Sequence, residues 1–271
     1  MRNIRVAALT QINLIEMTEI WNRCWRGYYY DMWFTPDQMR AWLDLTQVSP
    51  QHSMAIFVDD QIAGFALLSL EGVDGWIAGT CIDPNYRRKG LFTALMRLEL
   101  DVARRLGLKR VYLEVLEQNP ALKIYQSLGF TQIRQLNIYR VHKNNENSKR
   151  TMDTCPLDLI PLETYFYNRR GLFKPAWQRR EGYLKRHVNT FALINSSGSA
   201  GVLFGGDKIT LVLDAWSTTV VGATDVIATI TKRSKTSWSL TNQPDDEITR
   251  LCNSRGVYPS AKQYEMCVEL T

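Results

Sequence analysis

The stretch Tyr86-Arg87-Arg88-Lys89-Gly90-Leu91-Phe92-Thr93-Ala94-Leu95 decides the reading of this chain. It comes after a strand-like segment, Trp76 to Ile82, and an Asp83-Pro84 turn, and it opens a long amphipathic helix. The first N–H groups of a helix have no intrahelical partner, and the helix dipole favours an anion there. Gly90 can take the positive φ that curls those amides into a nest, and Arg87, Arg88 and Lys89 add charge. The pattern describes a polyphosphate site. Charge alone would describe equally well a solvated run capping an ordinary helix.

The residues downstream separate the two readings. In the long helix, Leu91, Ala94, Leu95, Leu98, Val102 and Leu106 recur at helical spacing, with Arg97, Glu99, Asp101, Arg104 and Arg105 expected on a solvated face. After the helix comes a β-branched, aromatic segment, Arg110-Val111-Tyr112-Leu113-Glu114-Val115. A short helix then runs from Pro120 to Leu128 and closes on Gly129-Phe130, with proline and glycine at the positions where helices begin and end. On these residues the segment from about Ile4 to Val141 resembles a GNAT-family acyltransferase. Arg87-Arg88-Lys89-Gly90-Leu91-Phe92 matches that family's Gln/Arg-x-x-Gly-x-Gly/Ala signature. Asn119-Pro120-Ala121, Ile124-Tyr125 and Leu128-Gly129-Phe130 match its second element.

The resemblance implies acetyl-CoA as cofactor and an amine as acceptor. It implies that Arg87, Arg88, Lys89, Gly90, Leu91, Phe92 and Thr93 hold the pyrophosphate, and that the backbone of Thr80, Cys81 and Ile82 pairs with the pantetheine arm. Asn119 would contact the cofactor; aligned from the helix rather than the strand, Gln118 takes that place. Two departures from the family pattern stand out. Phe92 occupies a position usually held by Gly or Ala, and the interval from Asn119 to Tyr125 is one residue short.

Acyl transfer to an amine needs a proton acceptor for the amine and a donor for the departing thiolate. Tyr125 is the candidate acid, and it is also cofactor-contacting. A free phenol titrates near ~10 and a thiol near ~8.5, so full proton handover is uphill by about 2 kcal/mol, whereas a hydrogen bond to sulfur is not. The competing reading makes Tyr125 a core aromatic. Glu114 is the candidate base, with an outward-facing strand glutamate as the alternative; Glu117 and Asp83 are weaker choices. No His-x-x-x-Asp, GxSxG or HExxH motif offers a rival mechanism.

In this fold the first two helices and their connection set acceptor choice. Here that region, Trp21 to Phe34, is aromatic, and Tyr28, Tyr29, Tyr30, Asp31 and Trp33 read as a substrate-binding loop. Loop aromatics packing on a second domain is the alternative.

Composition bounds the rest. The chain has 271 residues, 45% apolar, with a net charge of +6 spread over both halves and no basic-aromatic stripe, which argues against nucleic acid. Five scattered cysteines without a CxxC pair argue against a metal site or disulfide framework. No apolar run reaches membrane-spanning length and no leader-like segment comes after Met1, so a cytoplasmic monomer or homodimer without membrane partners is expected.

Polarity jumps at His142, and residues 143–154 read as a polar linker. Beyond it, Phe191–Gly201 aligns without a gap on Met54–Gly64, and Asn253-Ser254-Arg255-Gly256-Val257 parallels Gln126-Ser127-Leu128-Gly129-Phe130. The expected fold is therefore α/β with a mixed sheet (α+β), two tandem GNAT-like folds: residues 1–142 catalytic and 155–271 a degenerate copy. Its counterpart of the phosphate loop, Ala215 to Ala223, lacks Arg and Lys, and Cys252 replaces Tyr125. Such a copy would close the acceptor cleft or bury an interface. The function expected is acetyl transfer to a primary amine of a small molecule or peptide in a ternary complex. The alternative is a non-catalytic acyl-CoA-binding sensor or scaffold.

Overall fold

A computed structural model of the chain describes residues 3–29, 31–142, 155–206 and 210–270. They form two compact units. The first takes described residues 3–115, 119–132 and 266–270; the second takes the remainder.

The first unit begins with β1 (Ile4–Ala8), α1 (Leu14–Cys24) and α2 (Pro36–Thr46). Asn13 caps α1, and Thr35 with Gln38 forms a capping box on α2, so each helix starts where a side-chain oxygen meets its free amides. A hairpin comes next, β2 (Met54–Val58) and β3 (Gln61–Glu71), turned by Asp59 and Asp60. Both turn residues have positive φ, the conformation that matches strand twist in a two-residue hairpin. Then come β4 (Asp74–Ile82), α3 (Leu91–Arg105), β5 (Arg110–Leu116) and α4 (Ala121–Ser127). Trp21, Met39, Phe65 and Leu67 lie in the core between the first helices and the sheet. The strands from β1 to β4 pair antiparallel in sequence order; β4 and β5 run parallel.

The second unit repeats this plan. It holds β7 (Asp158–Ile160), α5 (Leu162–Arg169), α6 (Glu181–Leu184), β8 (Phe191–Ile194), β9 (Ala200–Gly205), β10 (Thr210–Ser217), α7 (Val220–Arg233), β11 (Ser237–Pro244) and α8 (Glu247–Ser254). The hairpin of β8 and β9 is the predicted partner of β2 and β3, and β10 pairs parallel with β11 as β4 does with β5. Even the helix ends agree: Phe130 N–H donates to the Tyr125 carbonyl and Val257 N–H to that of Cys252.

The division of the chain differs from the boundary expected at 142 and 155. β6 (Thr131–His142) pairs antiparallel with β11, so residues 133–142 belong to the second unit. β12 (Ala261–Glu269) sends residues from Met266 onward to the first, where Leu270 N–H donates to the Lys109 carbonyl at 2.7 Å. Sheet pairing is made by backbone groups common to every sequence, so duplicated domains can exchange equivalent strands. The linker expected over 143–154 lies outside the described residues.

Glu99 is a second correction. The solvated face expected on α3 includes it, yet it is fully buried beside Leu95 and Met96. Residue 99 stands four after Leu95, on the core stripe. Its Oε2 accepts the Met54 N–H at 3.0 Å, while burial drives its pKa well above the usual carboxylate range. A glutamate raised in the folded state costs stability once pH exceeds the unfolded value near ~4.3, because only the unfolded chain then ionises. Glu99→Gln is therefore expected to raise the thermal midpoint at pH 7. The gain should vanish near pH 4. Loss of stability at pH 7 would show that the charged form is needed.

Candidate active site

The site is built on a fork. β4 and β5 are laddered only where Asp74, Gly75 and Trp76 face Arg110, Val111 and Tyr112. An Asp74–Arg110 ion pair at 2.8 Å marks the closed end. Past Trp76, β4 stays paired with β3 as far as Ile82 but has no ladder to β5 among the described residues. A bulge at Ala78 bends β4 just there, since Leu67 pairs with Gly79 and Leu68 with Ile77. Thr80 and Cys81 thus stand on an open strand edge, and Thr80 Oγ1 is buried without a hydrogen-bond partner among the described residues. Burial, with Cys24 adding to it, pushes the Cys81 thiol well up, so it is neutral and no nucleophile. The Ile82 carbonyl is occupied by Arg87 Nε at 3.1 Å.

The loop ahead of α3 has the shape expected of an anion site. Arg88 and Gly90 both take positive φ, 60° and 75°, and Gly90, as N-cap, brings no side-chain oxygen to the first amides of the helix. The three cations, however, do different work. Arg87 spans from the Ile82 carbonyl to the Cys24 carbonyl at the end of α1, 2.8 Å from Nη2. In return Arg23 of α1 pairs with buried Asp83 at 2.8 Å, and Asp83 also holds the Asn85 N–H. Arg87 therefore clasps the loop to the end of α1. Lys89 donates to the Asn85 carbonyl and lies 5.4 Å from the Tyr86 ring centre. Arg88 makes no ion pair or hydrogen bond among the described residues. Leu91 is buried in the core, and the ring of Phe92 turns onto Tyr125, edge-on at 5.6 Å, so the aromatic side chain does not block the loop amides.

Tyr125, on α4, is buried between Phe92 and Phe130. Burial, with a smaller effect of nearby Tyr28, raises its pKa beyond that of a free phenol, so it is a neutral donor. Glu114, on the β5 arm two residues past the ladder, accepts the Trp76 indole N–H on Oε2 at 2.6 Å. Just ahead of α4, Asn119 Oδ1 accepts the Ala121 N–H, while its Nδ2 donates to the Tyr28 hydroxyl at 3.3 Å. Tyr28 and Tyr125, far apart in sequence, thus meet beside the fork.

The segment expected to take the acceptor leaves α1 at Gly27, whose φ is 74°. Its far end is pinned: Trp21 Nε1 donates to the Met32 carbonyl, and the Asn22 amide both donates to and accepts from the Phe34 backbone. A hollow of about 300 Å³ lies in this segment, lined by Asn22, Trp25, Arg26, Gly27, Tyr28, Asp31 and Trp33. Tyr28, Asp31 and Trp33 are the residues predicted for it. Tyr29 is half exposed, packs on Tyr28 and does not line the hollow; Tyr30 lies outside the described residues. Trp25 escapes the sequence reading because it stands four residues after Trp21, at helical spacing, and reads as core.

In the second unit the same places are filled. The β10–β11 ladder covers Thr210–Val212 and Trp238–Leu240, and β10 has its own bulge at Leu213. Beyond it sits Arg179, 1% exposed, bonded to Asp214 and the Ala215 carbonyl on β10 and to the Asn242 carbonyl and Gln243 Oε1 on β11. One arginine plugs the fork. At the start of α7 the Thr219 hydroxyl takes the Gly222 N–H at 3.0 Å, satisfying an amide left open in α3. Burial pushes the Cys252 thiol, at the place of Tyr125, to about 12.

A mixed sheet forked between parallel central strands, a bulge beside the fork and a glycine-started helix define an acyl-CoA N-acyltransferase fold. The model of the Acetyltransferase (GNAT) family matches residues 14–130. Two curated relatives are [ribosomal protein bS18]-alanine N-acetyltransferases. That of Salmonella typhimurium is 28% identical over 99 residues, covering 35% of this chain and 66% of its own length; that of Escherichia coli K12 is 32% identical over 73, covering 27% and 49%. The chain thus spans less than two thirds of either. Over its full length the fold is that of a tandem GNAT protein from the clavulanic acid biosynthesis pathway (TM-score 0.64, 10% identity, 99% of this chain and 98% of that one). A GCN5-related N-acetyltransferase from Sphaerobacter thermophilus is equally similar (0.65, 11%, 99% and 95%). No helix among the described residues is long and apolar enough to cross a membrane, and they contain no cluster of three or more His, Cys, Asp or Glu suited to a metal ion.

Proposed function

We propose that this chain is an acetyl-CoA-dependent N-acetyltransferase with one active site, in the first unit, acting on a primary amine of a small molecule or peptide. The observation that carries the reading is the open β4–β5 fork, with a glycine-started helix at its mouth, set against the plugged fork of the second unit. The residues fit the cofactor: uncapped α3 amides and Arg88 suit a pyrophosphate, and the bare edge at Thr80–Cys81, with an orphaned hydroxyl, suits an amide-bearing arm. Acetyl-CoA, when bound, supplies the acetyl group as a thioester.

Glu114 accepts the proton lost by the amine, directly or through water. With acetyl-CoA held there, the amine nitrogen would bond to the acetyl carbon as the C–S bond broke. Tyr125 donates a hydrogen bond to the sulfur that leaves, and because burial holds the phenol protonated, it stabilises the thiolate without surrendering its proton. The proton lost by the amine ends on the thiol through solvent. Tyr28, Asp31 and Trp33 receive the acceptor, the aromatic faces and carboxylate suiting a cation before it deprotonates. The relatives named for acetylating an alanine support a primary amine as acceptor.

Release of free thiol from acetyl-CoA, measured against a panel of small amines and amino-terminal peptides, tests this reading. Amine-dependent release is expected with at least one class. Binding of acetyl-CoA without release for any amine would leave a sensor or scaffold instead.

A further inference from the structure

Trp76 has a place in the fork that the acetyl-transfer scheme does not use. It is 2% exposed and is the last β4 residue paired with β5, opposite Tyr112. Side chains alternate along a strand, so Tyr112 and Glu114 share one face of β5, and Trp76 shares that face across the ladder. The other charged groups placed there by the same alternation, Asp74 and Arg110, are bonded to each other at the closed end. At the open end the indole Nε1–H points to Glu114 Oε2 at 2.6 Å.

We infer that Trp76 is a positioning residue that fixes the Glu114 carboxylate at the open end of the fork through its indole N–H. This rests on the reading of Glu114 as the proton acceptor. An indole nitrogen only donates, so the bond favours the ionised carboxylate. A glutamate on a strand otherwise samples several rotamers; a buried, rigid ring selects one of them. The carboxylate is aimed at one point.

Trp76→Phe keeps a ring in the core and deletes the donor. It is expected to lower kcat about tenfold and to move the acidic limb of its pH profile upward by about one unit, with acetyl-CoA affinity unchanged. A lowered melting temperature with kcat and limb unmoved would mean a structural tryptophan and overturn the inference. Glu114→Gln separates the two layers. If that variant turns over at the wild-type rate, the base reading itself fails; if it is inactive while Trp76→Phe keeps the wild-type profile, only the positioning role fails. In the unaltered protein, the ¹⁵N-labelled indole resonance lost in Glu114→Gln spectra should titrate with the midpoint of the kinetic limb. Eight flat indole resonances across that limb would overturn the inference even if Trp76→Phe does not fold.

Discussion

Tyr125→Phe is expected to lower kcat by about 10²-fold or more, the usual scale for losing a positioned acid, while acetyl-CoA affinity stays within about twofold. The phenol ring fills a buried slot between Phe92 and Phe130, and phenylalanine fills it equally well. What disappears is one donor aimed at the departing sulfur, an interaction that strengthens only as negative charge develops there. Burial raises the Tyr125 pKa, so its proton stays in place across neutral and mildly alkaline pH, and kcat should show no downward limb from this residue near pH 10. Such a limb would mean that the phenol is solvated and that its role differs. Unchanged kcat would return Tyr125 to the status of a core aromatic.

Asp214→Asn is expected to be the most destructive single change in the second unit. Its carboxylate receives Arg169 at 2.6 Å, Arg179 at 2.6 Å and the Tyr165 hydroxyl at 2.9 Å, all buried. Burial alone would push its pKa up, but the two guanidiniums outweigh this and hold it below the ordinary value. Removing one partner of a buried ion cluster typically costs about 3–5 kcal/mol, because the remaining charges have no water to return to. The unfolding transition of this unit should fall by roughly 10 °C. A depressed folded pKa contributes stability that is present above the unfolded value and lost as pH falls through the folded one. The unit should therefore loosen only below about pH 4. Calorimetric melting of the variant at pH 7, together with wild type between pH 3 and 7, checks both statements. A variant melting with wild type would mean that the cluster contributes no net stability.

Local geometry was largely legible in the sequence. Gly90 at a strand-to-helix turn and the Pro120-to-Gly129 helix each carry their geometry in a few adjacent residues, and each folds as read. The duplication was legible too, because Phe191–Gly201 repeats the apolar spacing of Met54–Gly64. What stayed hidden depends on residues distant in sequence. Arg179 reaches strand residues 35 to 64 positions away, so nothing beside it marks it as the plug of a fork. The clasp made by Arg87 was hidden because its partner, the Cys24 carbonyl, is a backbone atom 63 residues distant. The exchange of β6 and β12 residues was invisible for a related reason: two similar strands carry no mark of which sheet each completes. Glu99 is different. Its spacing from Leu95 was readable, and only the assumption that a charged residue faces water obscured it.

The most direct test of a single open fork is calorimetric titration of the CoA-free protein with acetyl-CoA. One site per chain is expected, with affinity about tenfold weaker in Arg88→Ala, the loss of roughly 1.4 kcal/mol that a charge-assisted contact provides. Two sites per chain, or no binding at all, would contradict it.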